Sequence, residues 1–345
     1  MYVLQSAEHW LIKMKKIALV TGGAGFIGSH MVDLLLRKNF EVKVVDNLST
    51  GRLKNLKLNF KNKKFYFKKI DIKKINIKDK FFKNINYIFH FAGVADLVPS
   101  INNPEKYIDV NLNGTIKLLE LAKKLKLKKF VYAASASCYG KTSSKPVKED
   151  ASINLEHPYA LSKYLGEKTV FHWGKIFKFP VVSLRIFNAY GPRSRTTGAY
   201  GAVMGVFFKQ KLKNKPLTIV GDGNQSRDFV YVTDVVNAFF KAGIQKSFNE
   251  VYNVGTGRAI KINYLAKLIG GKKLNIPDRP GEAKISLANI SKIKRSLKWK
   301  PKTTFEKGIK FLLSNINDWK DAPLWTPIKI KGATKNWFKY LKNAN

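Results

Sequence analysis

The stretch Lys16 to Asp46, KKIALVTGGAGFIGSHMVDLLLRKNFEVKVVD, constrains the fold more than any other part of the chain. It opens with Ile17-Ala18-Leu19-Val20-Thr21, a short apolar run of the kind buried in a parallel sheet. Gly22, Gly25 and Gly28 follow at the spacing G-x-x-G-x-x-G, and from Phe26 a helix is predicted with Ile27, Met31, Leu34 and Leu35 on one face. A second apolar run, Val42 to Val45, ends in Asp46. Gly22 suits a tight turn off the strand, Gly25 lets a pyrophosphate approach the backbone at the positive end of the helix, and Gly28 permits close helix packing. Asp46 can accept hydrogen bonds from ribose hydroxyls. Glycine turns are common, but strand, turn, helix, strand and acid in this order predict a dinucleotide site, with Gly22, Gly25, Phe26, Ile27, Gly28 and Asp46 against the cofactor.

The rhythm continues. Asn47-Leu48-Ser49-Thr50-Gly51 is a loop, and Asn47, Ser49, Thr50 and Gly51 are expected over the adenosine half. A third strand, Lys64 to Ile70, runs into Asp71 and Ile72, expected beside the adenine. A fourth, Ile85 to Phe91, ends in small residues, so that Phe91, Ala92, Gly93 and Val94 pass under the dinucleotide. A helix is predicted from about Asn103 to Lys124, carrying Asn111, which is expected against the cofactor. Then come a fifth strand, Lys129 to Ala134, a helix from Tyr159 to about Lys175, and a sixth strand, Val181 to Ile186. Strands alternating with helices imply an α/β doubly wound parallel sheet. Past Phe187 the pattern is shorter and mixed: loop at Asn188–Arg193, helix at Ala202–Lys211, strand at Leu217–Val220, amphipathic helices near Thr304–Trp319 and Thr334–Leu341. The expected division is a dinucleotide-binding domain over 1–186, with 228–252 returning to it, and a smaller α/β lobe from 187–227 and 253–345.

Composition narrows the class. Among 345 residues the only cysteine is Cys138, so an intrachain disulfide is impossible and a reducing, cytoplasmic setting is expected. No apolar run approaches the ~20 residues of a membrane helix. Met1 to Lys13 lacks the pattern of a secretory signal, and either Met1 or Met14 could be the start. The formal charge is +41, but only 9 of the 64 basic residues are Arg, and the lysines are scattered through the chain. Specific nucleic-acid binding is therefore not expected, whereas attraction of polyanionic substrates is. No metal site is expected.

The reactive constellation is Tyr159-Ala160-Leu161-Ser162-Lys163, which sets a phenol and an ammonium at i and i+4 on one helix face. An ammonium beside a phenol favours the phenolate, and a cationic nicotinamide adds to the effect. Ser135, at the end of the fifth strand, can bond the same substrate oxygen as Tyr159.

With these residues in place the chain resembles the extended short-chain dehydrogenase/reductases, through TGGAGFIG, Asp46, YAASASCYG, the HPYALSK helix, RIFNAYGPR and GDGNQSRDFVYV, over about Met14 to Thr304. Within that superfamily it is most similar to NAD-dependent UDP-sugar 4-epimerases, and the stretch TTGAYGAV after Arg195 is similar to those acting on N-acetylhexosamines. The resemblance implies NAD as cofactor and a catalytic triad of Ser135, Tyr159 and Lys163, with Tyr159 as general acid/base and a 4-keto sugar as intermediate. It implies Ala136 and Ser137 beside the substrate, Asn188, Arg227 and Arg279 on its diphosphate, and Thr218 and Val220 flanking the uracil. It also implies a homodimer through a four-helix bundle of the Asn103–Lys124 and Tyr159–Lys175 helices, with Ile116, Leu119, Leu165 and Val170 as candidate apolar contacts.

Departures from relatives carry information. Dehydratases of the family have Asp-Glu after the catalytic hydroxyl residue, and decarboxylases a Glu at the second of these places; this chain has Ala136-Ser137. Where hexose-specific epimerases can close the sugar pocket with a Tyr, counting on from Arg279 finds Ser286, leaving room for an N-acetyl group. A hexuronate epimerase, a one-way oxidoreductase, a non-catalytic nucleotide sensor and a nucleic-acid-associated protein stay open as alternatives.

NAD is expected to be preferred over NADP, because Asp46 repels a 2′-phosphate and Arg52 lies six residues further on in a loop. A cofactor titration checks this: tighter NAD binding is the expected result, and equal or tighter NADP binding contradicts it.

Overall fold

The computed structural model describes residues 16–142, 146–194, 203–246 and 248–341. Arg195 and nearly all of the TTGAYGAV stretch that follows it fall outside the described residues, as do Met1 and Met14.

In chain order the first lobe contains β1 (Ile17–Thr21), α1 (Phe26–Arg37), β2 (Glu41–Asp46), β3 (Phe65–Lys69), β4 (Tyr87–His90), α2 (Leu97–Asn102), α3 (Pro104–Ile108), α4 (Gly114–Ala122), β5 (Lys129–Ser135), α5 (Pro158–Ile176) and β6 (Val181–Ile186). There follow β7 (Asn188–Tyr190), α6 (Val203–Leu212), β8 (Leu217–Val220), β9 (Ser226–Tyr231), α7 (Val232–Ile244), β10 (Glu250–Val254), β11 (Ala259–Lys261), α8 (Ile262–Ile269), β12 (Lys273–Ile276), β13 (Ile285–Ser286), α9 (Ser291–Leu297), α10 (Phe305–Ser314) and α11 (Pro327–Leu341).

Seven strands form one sheet in the order β10-β6-β5-β4-β1-β2-β3, all neighbours parallel. Every residue of β1 and of β5 is buried, which is why both read as unbroken apolar runs rather than alternating ones. One face is covered by α1 and α7, whose Met31, Leu35, Val235 and Phe239 meet Val20, Val44 and Val131 of the sheet. The other is covered by α4 and α5 through Leu118, Leu121 and Val170 against Ile88, Phe130 and Tyr132. The smaller lobe is built on β9, which pairs with β7, β11 and β13, beside a separate β8–β12 pair. Its own core gathers Phe207, Phe208, Leu265, Leu312 and Trp319.

The helix predicted over about Asn103–Lys124 is present as one continuous helical stretch, capped by Asn103 (φ −139°) and made of α3, a π-helical turn at Asp109–Asn113 that the sequence did not disclose, and α4. Several expectations need correction. Asn188–Tyr190, read as loop, is a strand because it finds Phe229–Tyr231 as a parallel partner. The last helix starts at Pro327 rather than Thr334, with the proline at a position that needs no N–H. The return to the large sheet comes with α7 and β10; position 228 lies inside β9, in the second sheet. Leu119 and Val170 are fully buried under their helices, so neither is available to a partner, while Ile116 and Leu165 are half-buried. Among the described residues no helix is long and apolar enough to cross a membrane.

The helix that carries Tyr159 and Lys163 is anchored by a buried ion pair. Arg185 of β6 donates through Nη2 to Glu167 of α5 at 2.6 Å, and through Nη1 to the Tyr139 hydroxyl at 2.9 Å and the Glu149 carbonyl at 3.0 Å. Ser183 donates to the same carboxylate at 2.8 Å. Removing one partner strands a buried charge, so Glu167→Ala is expected to lower stability by about 3–5 kcal/mol. Urea unfolding checks this; a variant as stable as the parent would contradict the anchoring role.

Candidate active site

The carboxyl ends of the large sheet and the inner wall of the small lobe enclose a cavity of about 1030 Å³. Its first end is the glycine turn. Gly22 has φ +66°, and a Cβ there would lie 2.7 Å from the Ala92 nitrogen; a Cβ on Gly28 would lie 2.2 Å from the Gly22 carbonyl oxygen. Gly28 therefore packs against the turn itself. Gly25 caps α1 with no side-chain acceptor, so the helix N-terminus is left for a ligand anion. Gly22, Gly25, Phe26, Ile27, Gly28, Asp46, Asn47, Ser49, Thr50, Asp71, Ile72, Phe91, Ala92, Gly93 and Val94 all line the cavity. The Asp46 carboxylate accepts from the N–H groups of Ala24 at 3.0 Å and Leu48 at 2.8 Å; burial raises its pKa and these bonds oppose the rise.

Two expected cofactor residues stand outside the cavity wall. Gly51 lies behind Asp46, where a Cβ would sit 2.7 Å from both carboxylate oxygens. Asn111 accepts from the Val94 N–H at 2.8 Å and donates to the Val94 carbonyl at 3.0 Å and to Ser162 at 2.9 Å. Both residues hold the walls rather than form them. The π turn presents Asn111 to this task.

At the middle of the cavity stand Ser135, Tyr159 and Lys163. Ser135 ends β5; its hydroxyl donates to Ser137 Oγ at 3.0 Å and accepts from the Ser137 N–H at 3.2 Å. His157 caps α5 by accepting from the Ala160 N–H at 3.2 Å, Pro158 takes the first helical position, and Tyr159 follows in the first turn. Burial pushes the Tyr159 phenol above its ordinary pKa, and a hydrogen bond with Ser135 opposes it. Lys163 is also buried and is brought down to about 7, with the charge of Glu167 working the other way. Its ammonium lies 4.4 Å from the centre of the Tyr132 ring. That aromatic face and the Glu167 charge favour the ammonium, while burial opposes it.

The second end carries the remaining candidates. Ala136, Ser137, Asn188, Thr218, Val220, Arg227, Arg279 and Ser286 all line the cavity. Arg227 donates to the carbonyls of Ser226 at 2.9 Å and Ala283 at 2.8 Å and meets Glu282 at 3.3 Å; Arg279 meets the same carboxylate at 3.0 Å. Glu282 thus bridges the two arginines, and Asp228 is not their partner: it accepts from Thr256, Gly257 and Ala288. Asn188 donates to the Asp228 carbonyl at 3.4 Å. The Thr218 hydroxyl accepts from Gln210 at 2.8 Å, turning it toward α6. Ser286 lies beside Arg227 in the β13–β9 register.

Sequence reasoning missed His157, Glu282 and Trp337, which also line the cavity. His-Pro ahead of the helix was a readable capping signal; Trp337, remote in sequence, offered none.

The chain matches a family model described as GDP-mannose 4,6 dehydratase over residues 19–312. A Methanocaldococcus jannaschii protein assigned as a UDP-glucose 4-epimerase is 39% identical over 299 residues, covering 85% of this chain and 95% of that one. The UDP-glucuronic acid 4-epimerase of Bacillus cereus, solved with UDP-glucuronic acid and NAD, aligns with TM-score 0.82 at 31% identity over 87% of this chain and 99% of its own. The UDP-N-acetylglucosamine 4-epimerase of Methanobrevibacter ruminantium, solved with UDP-N-acetylmuramic acid, aligns with TM-score 0.81 at 31% identity and the same coverage.

Burial holds His157 neutral down to about pH 4 and His90 down to about pH 3. The unfolded chain protonates both near 6.5. Between pH 6.5 and 4 unfolding therefore takes up protons, and stability falls as pH falls. Asn can cap the helix without titrating, so His157→Asn is expected to reduce the loss of melting temperature across this window. An unchanged pH slope would contradict it.

Proposed function

The chain belongs to the NAD-dependent UDP-sugar epimerase/dehydratase family of extended short-chain dehydrogenase/reductases, and we propose that its substrate is a UDP-N-acetylhexosamine. It is a UDP-sugar 4-epimerase with NAD as cofactor. One observation supports the reading most: the glycine turn, the Ser135–Tyr159–Lys163 group and the Arg227–Arg279 pair all line one cavity, as a dinucleotide, a reacting sugar carbon and a sugar diphosphate would require.

The residues of this chain have distinct jobs. Gly22, Gly25 and Gly28 form the cradle for the pyrophosphate, and Asp46 takes the adenosine ribose. NAD, when bound, supplies the redox chemistry at the sugar C4 and a positive charge at the nicotinamide. Tyr159 takes the proton from the 4-hydroxyl and returns it. Ser135 orients the same oxygen. Lys163 supports the phenolate once the cofactor's charge adds to its own. Arg227 and Arg279 hold the diphosphate, so Glu282, which now occupies their guanidinium groups, must share or yield them. Ala136 and Ser137 offer neither acid nor base near C5 and C6, which argues against dehydration.

Ser286 supports the acetylated substrate: it stands in the wall beside Arg227 and adds little bulk. A homodimer belongs to the same proposal, on a reduced apolar strip of Ile116, Leu161 and Leu165 on the outer faces of α4 and α5. So does a cytoplasmic location, supported by the single buried thiol of Cys138.

Resolving the C4 epimers formed from UDP-N-acetylglucosamine, UDP-glucose and UDP-glucuronate tests the assignment. Tyr159→Phe is expected to slow turnover at least ~10²-fold with NAD binding kept; normal turnover would remove Tyr159 as the base. Overpacking a formed pocket costs about 1–3 kcal/mol, so Ser286→Tyr is expected to cut activity on the acetylated sugar roughly 10- to 100-fold and to spare UDP-glucose. Equal treatment of both sugars by the variant would overturn the acetyl-pocket reading.

A further inference from the structure

The family model stops at residue 312. Helix α11, Pro327–Leu341, lies beyond it, yet it reaches the site. Ile330, Thr334 and Trp337 are its buried residues, at i, i+4 and i+7, and so share one face. The helix packs along α2, whose Leu97, Val98 and Pro99 line the cavity, and Asn336 donates to Asn102 at 2.9 Å.

Trp337 is 1% exposed and at the same time part of the cavity wall. Its indole N–H donates to the Pro280 carbonyl at 2.8 Å, in the middle of the turn that presents Arg279 on one side and Glu282 on the other. Its ring lies 5.6 Å from that of His157, which in turn stacks on Tyr159 with ring centres 6.0 Å apart and planes within 7°. Leu341, on the last turn of α11, lies 3.4 Å from where a Gly281 Cβ would be. The 279–282 turn is therefore pinned from outside by the C-terminal helix and is linked through a tilted and then a stacked ring contact to the start of α5.

We propose that α11 is a clamp on the nucleotide end of the site and that Trp337 is a positioning residue, which sets Arg279 for the substrate diphosphate by holding the Pro280 carbonyl. The proposal rests on the reading of Arg279 as a diphosphate contact. An indole donor satisfies a carbonyl that would otherwise let the turn shift, and a misplaced guanidinium loses the bidentate geometry that gives Arg its advantage with phosphate. Phenylalanine keeps an aromatic ring at this place and deletes the donor together with part of the indole's bulk, so NAD titrations and the Arg279→Ala background separate the lost bond from general loosening.

The test is calorimetric titration of the full-length protein with UDP, which needs no knowledge of the sugar, for the parent, Trp337→Phe, Arg279→Ala and the double variant, with NAD titrations alongside. Loss of one neutral hydrogen bond predicts roughly 3- to 10-fold weaker UDP binding by Trp337→Phe, with NAD affinity unchanged and no further weakening when Arg279→Ala is already present. Parent-like UDP binding by Trp337→Phe, equal loss of NAD binding, or an undiminished effect in the Arg279→Ala background would each overturn the clamp. UDP binding that is indifferent to Arg279→Ala would instead overturn the diphosphate reading of Arg279, and the clamp with it.

Discussion

A phenol and an ammonium buried one helical turn apart make the demand around which this structure is arranged. Both Tyr159 and Lys163 are removed from water, burial raises the one and lowers the other, and among the described residues no carboxylate pairs with the ammonium. Such a pair survives only on a helix held from several sides. Glu167 ties α5 to Arg185, His157 caps its start, and Ser162 is met by Asn111 from the π turn. The residues around the reactive pair are thus ordinary structural contacts whose combined effect is to fix two ionisable groups where solvent cannot set their charge.

The same logic governs the cavity as a whole. Parallel strands leave their carboxyl ends open, and the glycine turn there exposes a helix N-terminus that favours anions. The small lobe closes the opposite side with two arginines, and a single glutamate bridges them. Positive charge at both ends with a low-dielectric middle suits a ligand that is anionic along its length and reacts in its centre. The diffuse +41 charge of the chain assists its arrival without specifying it.

Much of this was legible in the sequence, for local reasons. β1, α1 and β2 are contiguous, so periodicity and glycine spacing disclose them together. The Tyr159–Lys163 pair is fixed by helical spacing alone. The small lobe was read less well because its strands are two to six residues long and exist only through partners far along the chain, as Asn188–Tyr190 does through Phe229–Tyr231. The Asn111 side chain spans the gap between Val94 and Ser162, partners 17 and 51 residues away that no local pattern discloses. The burial that raises the phenol's pKa was not legible either, since charge neighbours can be inferred from spacing and depth of burial cannot. Trp337 meets Pro280 across 57 residues, beyond any local pattern.

In the proposed reaction one enclosed site breaks and remakes the C–H bond at the sugar C4, and that hydrogen does not exchange with solvent. Conversion of a UDP-sugar carrying deuterium at C4, followed by mass spectrometry of both epimers, tests it most directly. Full retention of deuterium at C4 in the product is the result this account predicts. Washout of the label, or its replacement by hydrogen from water, would contradict it.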